Sequence, residues 1–132
     1  MARAVHVAVV GLALACGEVL AQMSPVPPAE VPDFPSGAAP LESAMLQQRL
    51  SGKVFRVAPR AAPAWRLQFN DNGYWYINTE SGYSDSGKWR VEGSTLCTEP
   101  RKTKASCNDI RLFDDALYLR RDSGEVVKFE HR

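Results

Sequence analysis

The segment from Trp65 to Ile77 constrains the fold most strongly, because it has the pattern of two short strands joined by a tight turn. Large apolar residues at positions 65, 67 and 69 alternate with polar ones, as in a half-buried strand. Asp71-Asn72-Gly73 favours the positive φ angles of a hairpin turn, and the aromatic and β-branched residues that follow are typical of a returning strand. The segment therefore predicts a β-hairpin.

The same alternation recurs through the second half of the chain. The eight strand candidates are Lys53–Ala58, Trp65–Phe69, Tyr74–Asn78, Lys88–Val91, Thr95–Thr98, Asn108–Phe113, Ala116–Arg120 and Val126–Glu130. The later breaks contain Ser81-Gly82, Asp85-Ser86-Gly87, Glu92-Gly93-Ser94, Asp114-Asp115 and Asp122-Ser123-Gly124, all of which are turn-forming sequences. These breaks leave no room for crossover helices, so consecutive strands are expected to pair antiparallel. The sequence predicts an all-β fold, a small eight-stranded meander barrel, with a β-sandwich as the alternative.

Alternation within the strands selects the residues that face the core. They are Val54, Leu67, Phe69, Trp75, Ile77, Trp89, Val91, Leu96, Ile110, Leu112, Leu117, Leu119, Val127 and Phe129. A barrel of so few short strands is expected to be filled by its own side chains, which argues against a roomy ligand cavity.

Residues 1–21 have the three parts of a secretory signal peptide. Arg3 supplies the charge, residues 5–15 form the apolar run, and Val19-Leu20-Ala21 precedes the expected cleavage site. The apolar run is too short to span a bilayer as an anchor of the mature protein. A buried N-terminal helix is the structural alternative.

A second processing route is also consistent with this segment. Residues 12–17 resemble a bacterial lipobox, in which Cys16 would be lipidated and become the new N-terminus. Both routes predict export. The expected location is periplasmic or secreted, with an outer-membrane lipoprotein as the alternative, and membrane attachment is expected only if Cys16 is lipidated.

A proline-rich linker is predicted over residues 22–40, which contain six of the nine prolines. Such a run favours extended polyproline geometry and a solvated spacer, with a docking peptide as the alternative.

A domain of residues 41–132 follows the linker, and it begins with a short helix predicted over Leu41–Leu50. Leu41, Met45, Leu46 and Leu50 mark its apolar side. So short a helix is not stable alone in water, so it is expected to pack across one end of the β domain.

Cleavage after Ala21 would leave Cys97 and Cys107 as the remaining cysteines. An even pair in an exported domain predicts a disulfide, which would contribute about 2–3 kcal/mol to stability. A redox pair or metal ligands are the alternatives, but the spacing and the shortage of further Cys and His disfavour both.

Catalytic and cofactor chemistry finds little support in the sequence. The mature chain would have one histidine, His131, beside its C-terminus, and its glycines lie in predicted turns instead of a phosphate-binding loop. The adjacent carboxylates Asp114-Asp115 are interpreted as a hairpin turn. The formal net charge of +1 gives no case for nucleic-acid binding. We therefore expect no catalytic activity, no cofactor and no metal site.

Two groups of surface residues are candidates for binding. Arg101, Lys102 and Lys104 form a basic loop between the cysteines, and a solvated loop is its alternative interpretation. The second group is Tyr74, Tyr76 and Tyr83, which would form either a contact surface or cross-strand pairs that support the sheet.

Three stretches, residues 50–55, 87–93 and 96–97 together with Cys107, resemble a family of small secreted proteobacterial proteins of unknown function with lipocalin-like character. This resemblance implies a lipocalin-like barrel. A second resemblance, to periplasmic lysozyme inhibitors of the small-barrel type, rests on size, export and the sequence Ser81-Gly82-Tyr83-Ser84.

The sequence therefore predicts an exported, non-catalytic binding module for an envelope or secreted protein, such as an inhibitor or an envelope accessory protein. The alternative is a small lipocalin-like carrier of an apolar ligand. That function would require a cavity lined by Trp75, Trp89 and Phe129, and an enzyme would require a pair of carboxylates converging in a cleft.

Overall fold

A computed structural model describes residues 33–132 and the single residue Gly11. The predicted signal peptide, Cys16 as a lipidation site and residues 22–32 of the predicted linker lie outside the described residues.

The described part of the chain contains one helix and nine strands. They are β1 (Ala39–Pro40), α1 (Ser43–Leu50), β2 (Lys53–Val57), β3 (Trp65–Phe69), β4 (Tyr74–Thr79), β5 (Ser84–Glu92), β6 (Thr95–Pro100), β7 (Ser106–Phe113), β8 (Ala116–Arg120) and β9 (Val126–His131). From β2 to β9 each strand pairs antiparallel with the next, and β9 pairs with β2. The predicted eight-stranded meander barrel is confirmed. The two-residue β1, which adds to β7, was not predicted.

The tight turns of the barrel follow the predicted chemistry. Gly73 has a φ of +89°, and Phe69 and Trp75 are paired across that turn. Asp114 and Asp115 both have positive φ, 48° and 61°, and link β7 to β8 as a two-residue loop. Positive φ at both central positions is the feature of the mirror-image turns that match strand twist. Both hairpin predictions are confirmed.

The prediction of a turn at Asp85-Ser86-Gly87 is wrong, because β5 begins at Ser84 and runs through these residues. Gly87 lies between Trp75 on β4 and Pro100 on β6. A Cβ atom placed on Gly87 would lie 1.9 Å from the carbonyl oxygen of Glu99. The glycine is therefore required by the close approach of β5 and β6 and not by a change of chain direction.

Helix α1 lies across one end of the barrel, which we call the closed end. Leu46 and Leu50 are fully buried, and Arg49 forms an ion pair of 2.9 Å with Asp115 in the β7–β8 turn. The predicted position of the helix is confirmed, although it begins at Ser43 instead of Leu41. Met45 was predicted on the apolar side of the helix, but 48% of it is exposed.

Aromatic side chains fill the barrel beneath the helix. The ring of Phe55 lies 5.2 Å from that of Phe129 and 6.1 Å from that of Phe69. The inward assignment of Val54 was wrong, because Phe55 and not Val54 is paired with the inward-facing Leu67. Residues directly opposite each other in a ladder point to the same face, so this pairing places Phe55 in the core.

The segment 33–40 packs along the outside of the barrel, so the predicted solvated spacer does not hold for these residues. Phe34 is buried, and its ring lies 4.4 Å from the guanidinium of Arg111 and 4.8 Å from that of Arg120. Asp33 forms an ion pair with Arg120 at the end of β8, and β1 pairs with β7. A cation near the face of an aromatic ring is attracted to it, so these two contacts help to hold Phe34 on the outer wall of the barrel.

Replacing Gly87 with alanine is expected to destabilise the barrel. The new methyl group would collide with backbone and not with a movable side chain, so β5 and β6 must separate. We expect a loss of about 1–3 kcal/mol, as for other overpacked sites. Urea unfolding followed by circular dichroism measures this. The control is Ser86→Ala, which should change stability by less than about 0.5 kcal/mol. A Gly87→Ala variant as stable as this control would contradict the assigned role.

Candidate functional site

The end of the barrel opposite the helix, which we call the open end, contains a cavity of about 420 Å³. Its apolar wall is formed by Trp65, Leu67, Phe69, Trp75, Ile77 and Phe129, among others. The expectation of a filled barrel therefore holds beneath the helix and fails at the open end. The reason is that the wall positions near the open end carry small or polar residues, among them Thr98, Ser106 and Asn108, which leave space unfilled.

Two of the three residues expected to line a carrier cavity do so. Trp75 and Phe129 lie in its wall, whereas Trp89 does not. The indole of Trp89 instead packs edge-on against Phe69 at 5.4 Å, and its Nε1 donates to the carbonyl of Asn70 at 2.9 Å. These contacts place Trp89 in the filled half of the barrel.

The Trp75 indole differs from that of Trp89 in its hydrogen bonding. Its Nε1 is buried and has no hydrogen-bond acceptor among the described residues. Buried donors in folded proteins almost always have a partner, and the rare exceptions mark strain, an unseen water or a ligand position. Because this nitrogen has less than 1 Å² of accessible surface, it lies behind the cavity surface, which Trp75 lines with other atoms.

Charged residues are confined to the rim of the cavity. Arg121 pairs with Glu125 at 2.9 Å and its guanidinium lies 4.7 Å from the ring of Trp65. The hydrogen bond from Arg121 is the main reason that the pKa of Glu125 is lowered in spite of its burial. Asp122 accepts a hydrogen bond of 2.8 Å from Asn108. Lys104 forms neither a hydrogen bond nor an ion pair with any described residue.

A disulfide between Cys97 and Cys107 closes the basic loop beside this rim. The two residues lie directly opposite each other on β6 and β7, with their Cα atoms 4.1 Å apart. The predicted bridge is confirmed. Cys97 is only 1% exposed, whereas Cys107 is exposed on the outer face of β7. Such a bond is compatible with an oxidising, exported location.

Asp85, a buried carboxylate among the described residues, fixes the start of the basic loop. It accepts hydrogen bonds from the backbone N–H groups of Ser86, Arg101 and Lys102 at 2.7–3.2 Å and from the hydroxyl of Tyr83 at 3.3 Å. Burial alone would raise the pKa of Asp85, but these donors outweigh it and hold the pKa below its ordinary value. Burial raises the pKa of Tyr83, and the neighbouring Asp85 carboxylate raises it further.

The predicted binding residues separate into three places. Tyr76, Arg101 and Lys102 line one groove on the outside of the barrel, and the Lys102 ammonium lies 5.5 Å from the ring of the nearby Tyr83. We call these four residues the tyrosine–basic surface. Tyr74 lies in a separate groove. Lys104 lines the cavity instead.

Several residues at the open end were not identified from the sequence. Asp85 was assigned to a turn, although its spacing of two and four residues from Gly87 and Trp89 matches strand alternation. Arg121 and Asp122 were not identified as site residues, because the sequence after β8 indicates a turn but not that this turn borders a cavity.

Other kinds of site find no support in the part of the chain that the structure describes. Residues 33–132 contain no cluster of three or more His, Cys, Asp or Glu side chains that could hold a metal ion. Within the same residues, no helix has the length and apolar character needed to cross a membrane. Comparison of the chain with models of known protein families, with curated proteins and with solved structures finds no match.

The pH dependence of stability should reflect Asp85. The pKa of Asp85 is lowered in the folded state. The stability that its ionised carboxylate contributes is therefore complete above the ordinary aspartate pKa and is lost as the pH falls towards the lowered value. We expect Asp85→Asn to be less stable than the wild type at neutral pH and to lose less stability on acidification. Thermal unfolding from neutral pH to about pH 3 measures both effects. The exposed Asp71→Asn is the matched control, and equal acid sensitivity of Asp85→Asn and wild type would contradict the assignment.

Proposed function

We propose that this protein is an exported, non-catalytic binding protein that holds a small, largely apolar molecule in the open half of its barrel. The observation that carries the proposal is the cavity of about 420 Å³, which has an apolar wall and polar groups at its rim. Small-molecule sites are typically concave, mostly apolar spaces of about 300–1,000 Å³ with a few polar groups that orient the ligand.

The location assigned to this function is the periplasm or the cell exterior. The signal-like sequence of residues 1–21 and the disulfide both support it. The closed antiparallel barrel with a helix over one end supports the lipocalin-like character that the sequence resemblance implies. It is also the architecture in which an internal ligand site is a natural feature.

Filling the cavity should abolish ligand binding without unfolding the barrel. Leu119 lies in the cavity wall, so the larger indole of Leu119→Trp would occupy the space that a ligand needs. Binding of dodecanol and of a fluorescent apolar probe is measured by calorimetry and by probe emission. The control is Lys128→Trp, which adds the same side chain on the outside of β9. Loss of binding in Leu119→Trp alone supports the proposal, and equal binding by a folded Leu119→Trp contradicts it.

Binding of an envelope or secreted protein is a second candidate function, and the tyrosine–basic surface favours it. Tyr76 and Tyr83 are each 41% exposed, and Arg101 and Lys102 form no ion pair with a described residue. Exposed tyrosines beside cations are typical of protein contact surfaces, and these cations would suit an acidic partner.

The combined variant Tyr76→Ser and Lys102→Gln should weaken capture of such a partner. Purified protein is incubated with envelope extract, crosslinked, and the captured proteins are identified by mass spectrometry. Lys128→Gln, on another face of the barrel, is the control. A captured protein that disappears only with the combined variant supports this candidate. A capture pattern that is the same in all three proteins rejects these residues as the contact.

A further inference from the structure

The cavity wall differs from one side of the barrel to the other. Trp65 and Leu67 on β3 and Ile77 on β4 form an apolar side. Thr98 on β6 and Ser106 on β7 form a side that carries hydroxyl groups. Because β3 and β7 are four strands apart in a closed ring of eight, these two sides face each other across the open half of the barrel. A molecule in the cavity therefore meets apolar surface on one side and hydroxyl groups on the other.

The two hydroxyl groups lie close together. Thr98 and Ser106 are directly opposite each other in the β6–β7 ladder, beside the pair formed by Cys97 and Cys107. Directly opposed residues have their Cβ atoms about 5 Å apart, so one oxygen atom placed between these side chains can bond to both. The disulfide joins the neighbouring pair and so fixes the separation of the two strands at this point. The hydroxyl pair is therefore preorganised.

These hydroxyl groups can also be reached by a ligand, unlike the indole nitrogen of Trp75. Thr98 makes no side-chain hydrogen bond with a described residue, and its oxygen is not among the fully buried, unbonded atoms of the described chain, so it is accessible. Ser106 donates its proton to Asn108 Oδ1 at 3.2 Å, which leaves the Ser106 oxygen as an acceptor. Thr98 can donate and Ser106 can accept, and a ligand hydroxyl is a group that satisfies both.

The rim of the cavity does not favour a ligand of either charge. It carries two cations, Lys104 and Arg121, and two carboxylates, Asp122 and Glu125. A ligand acid would meet two carboxylates there and a ligand amine would meet two cations, so neither finds a rim of uniformly opposite sign. Either ion would also lose hydration on entering the cavity. An uncharged ligand avoids this cost.

The depth of the cavity limits the shape of the ligand. Trp65 lies at the open end of β3, and Phe69 at the other end of that strand forms the floor, where its ring packs against those of Trp89 and Phe129. This length of strand spans about 13 Å, and the tilt of barrel strands reduces the depth to about 10 Å. A compact ring system can be buried within this depth, whereas a long extended chain would project into water.

We propose that the ligand is an uncharged ring compound with a hydroxyl group on its edge. The ring lies against the apolar side of the cavity, and the ligand hydroxyl accepts a hydrogen bond from Thr98 and donates one to Ser106. This inference rests on the proposed function, since it specifies the class of molecule that occupies the same cavity.

The hydroxyl pair is tested with two ligands of nearly equal size and one isosteric substitution. Naphthylmethanol and ethylnaphthalene differ by a hydroxyl group in place of a methyl group, and Thr98→Val makes the same exchange in the protein. Binding is measured by calorimetry and by displacement of a fluorescent apolar probe. Thr98→Val should weaken naphthylmethanol about tenfold and leave ethylnaphthalene unchanged, because the buried ligand hydroxyl would then lose a donor.

A second variant and a matched control complete this test. Ser106→Ala removes the acceptor and should also weaken the alcohol selectively. Thr95→Val is the control, because Thr95 lies on the same strand but its hydroxyl bonds to Asp109 on the outside of the barrel. It should change neither affinity. Melting curves from circular dichroism show whether each variant is folded, and the two test substitutions lie on separate strands, so loss of one fold leaves the other as the test.

The charge preference is tested in the wild type at neutral pH. Naphthoic acid is then an anion and naphthylmethylamine a cation, and both have nearly the same size as naphthylmethanol. We expect each ion to bind at least about tenfold more weakly than the alcohol, because the ion loses hydration without gaining a rim of opposite charge.

The outcomes separate this inference from the proposed function. If naphthylmethanol, ethylnaphthalene and dodecanol all fail to bind the wild type, the proposed function fails and the inference fails with it. If apolar ligands bind, the ligand class is wrong while the cavity site stands in either of two cases: an ion binds as tightly as the alcohol, or folded Thr98→Val and Ser106→Ala weaken the alcohol no more than the hydrocarbon. Selective weakening of the alcohol in both variants, with weaker binding of both ions, supports the whole proposal.

Discussion

The seam between β2 and β9 closes the barrel with only two paired positions, Phe55 with His131 and Arg56 with Glu130. So few ladder positions cannot hold the seam alone, and side-chain packing compensates. The ring of Phe55 lies 5.2 Å from that of Phe129 and 5.0 Å from that of His131, both on the opposite strand. Aromatic pairs of this kind stabilise a fold beyond the area that they bury. Phe55 and Phe129 are almost fully buried, so their packing at the closed end supports closure of the barrel.

The open half is held by different interactions, and this difference is what allows it to remain hollow. There the disulfide links β6 to β7, and the Asp85 carboxylate fixes the chain that leaves β6. Neither interaction requires large side chains inside the barrel. A covalent bond restricts the unfolded chain, and a buried carboxylate with all its hydrogen bonds made orders the loop whose backbone it binds. The open half is thus stabilised without filling its internal space.

The sequence predicted the strand order, the helix position and the disulfide, because each depends on local patterns or on parity along a strand. It failed where tertiary geometry decides. Gly87 looked like a turn residue, but a close approach of two strands requires it. Val54 looked like a core residue, but the register with β3 places Phe55 there. The sequence favoured a filled barrel and named a cavity only as the requirement of the carrier alternative, since whether small wall residues leave space depends on packing across the barrel. Whether the N–H group of the Trp75 indole finds a hydrogen-bond acceptor likewise depends on atoms from several strands.

The course of residues 33–40 has a consequence for how the barrel is oriented on its own chain. Asp33 is bound to Arg120 at the last position of β8, beside the cavity, and the segment then runs along the outer wall towards the helix. The polypeptide thus enters the domain at the same pole as the mouth of the cavity. Under the proposed function, a ligand would therefore enter the barrel beside Asp33, on the side where the described part of the chain begins.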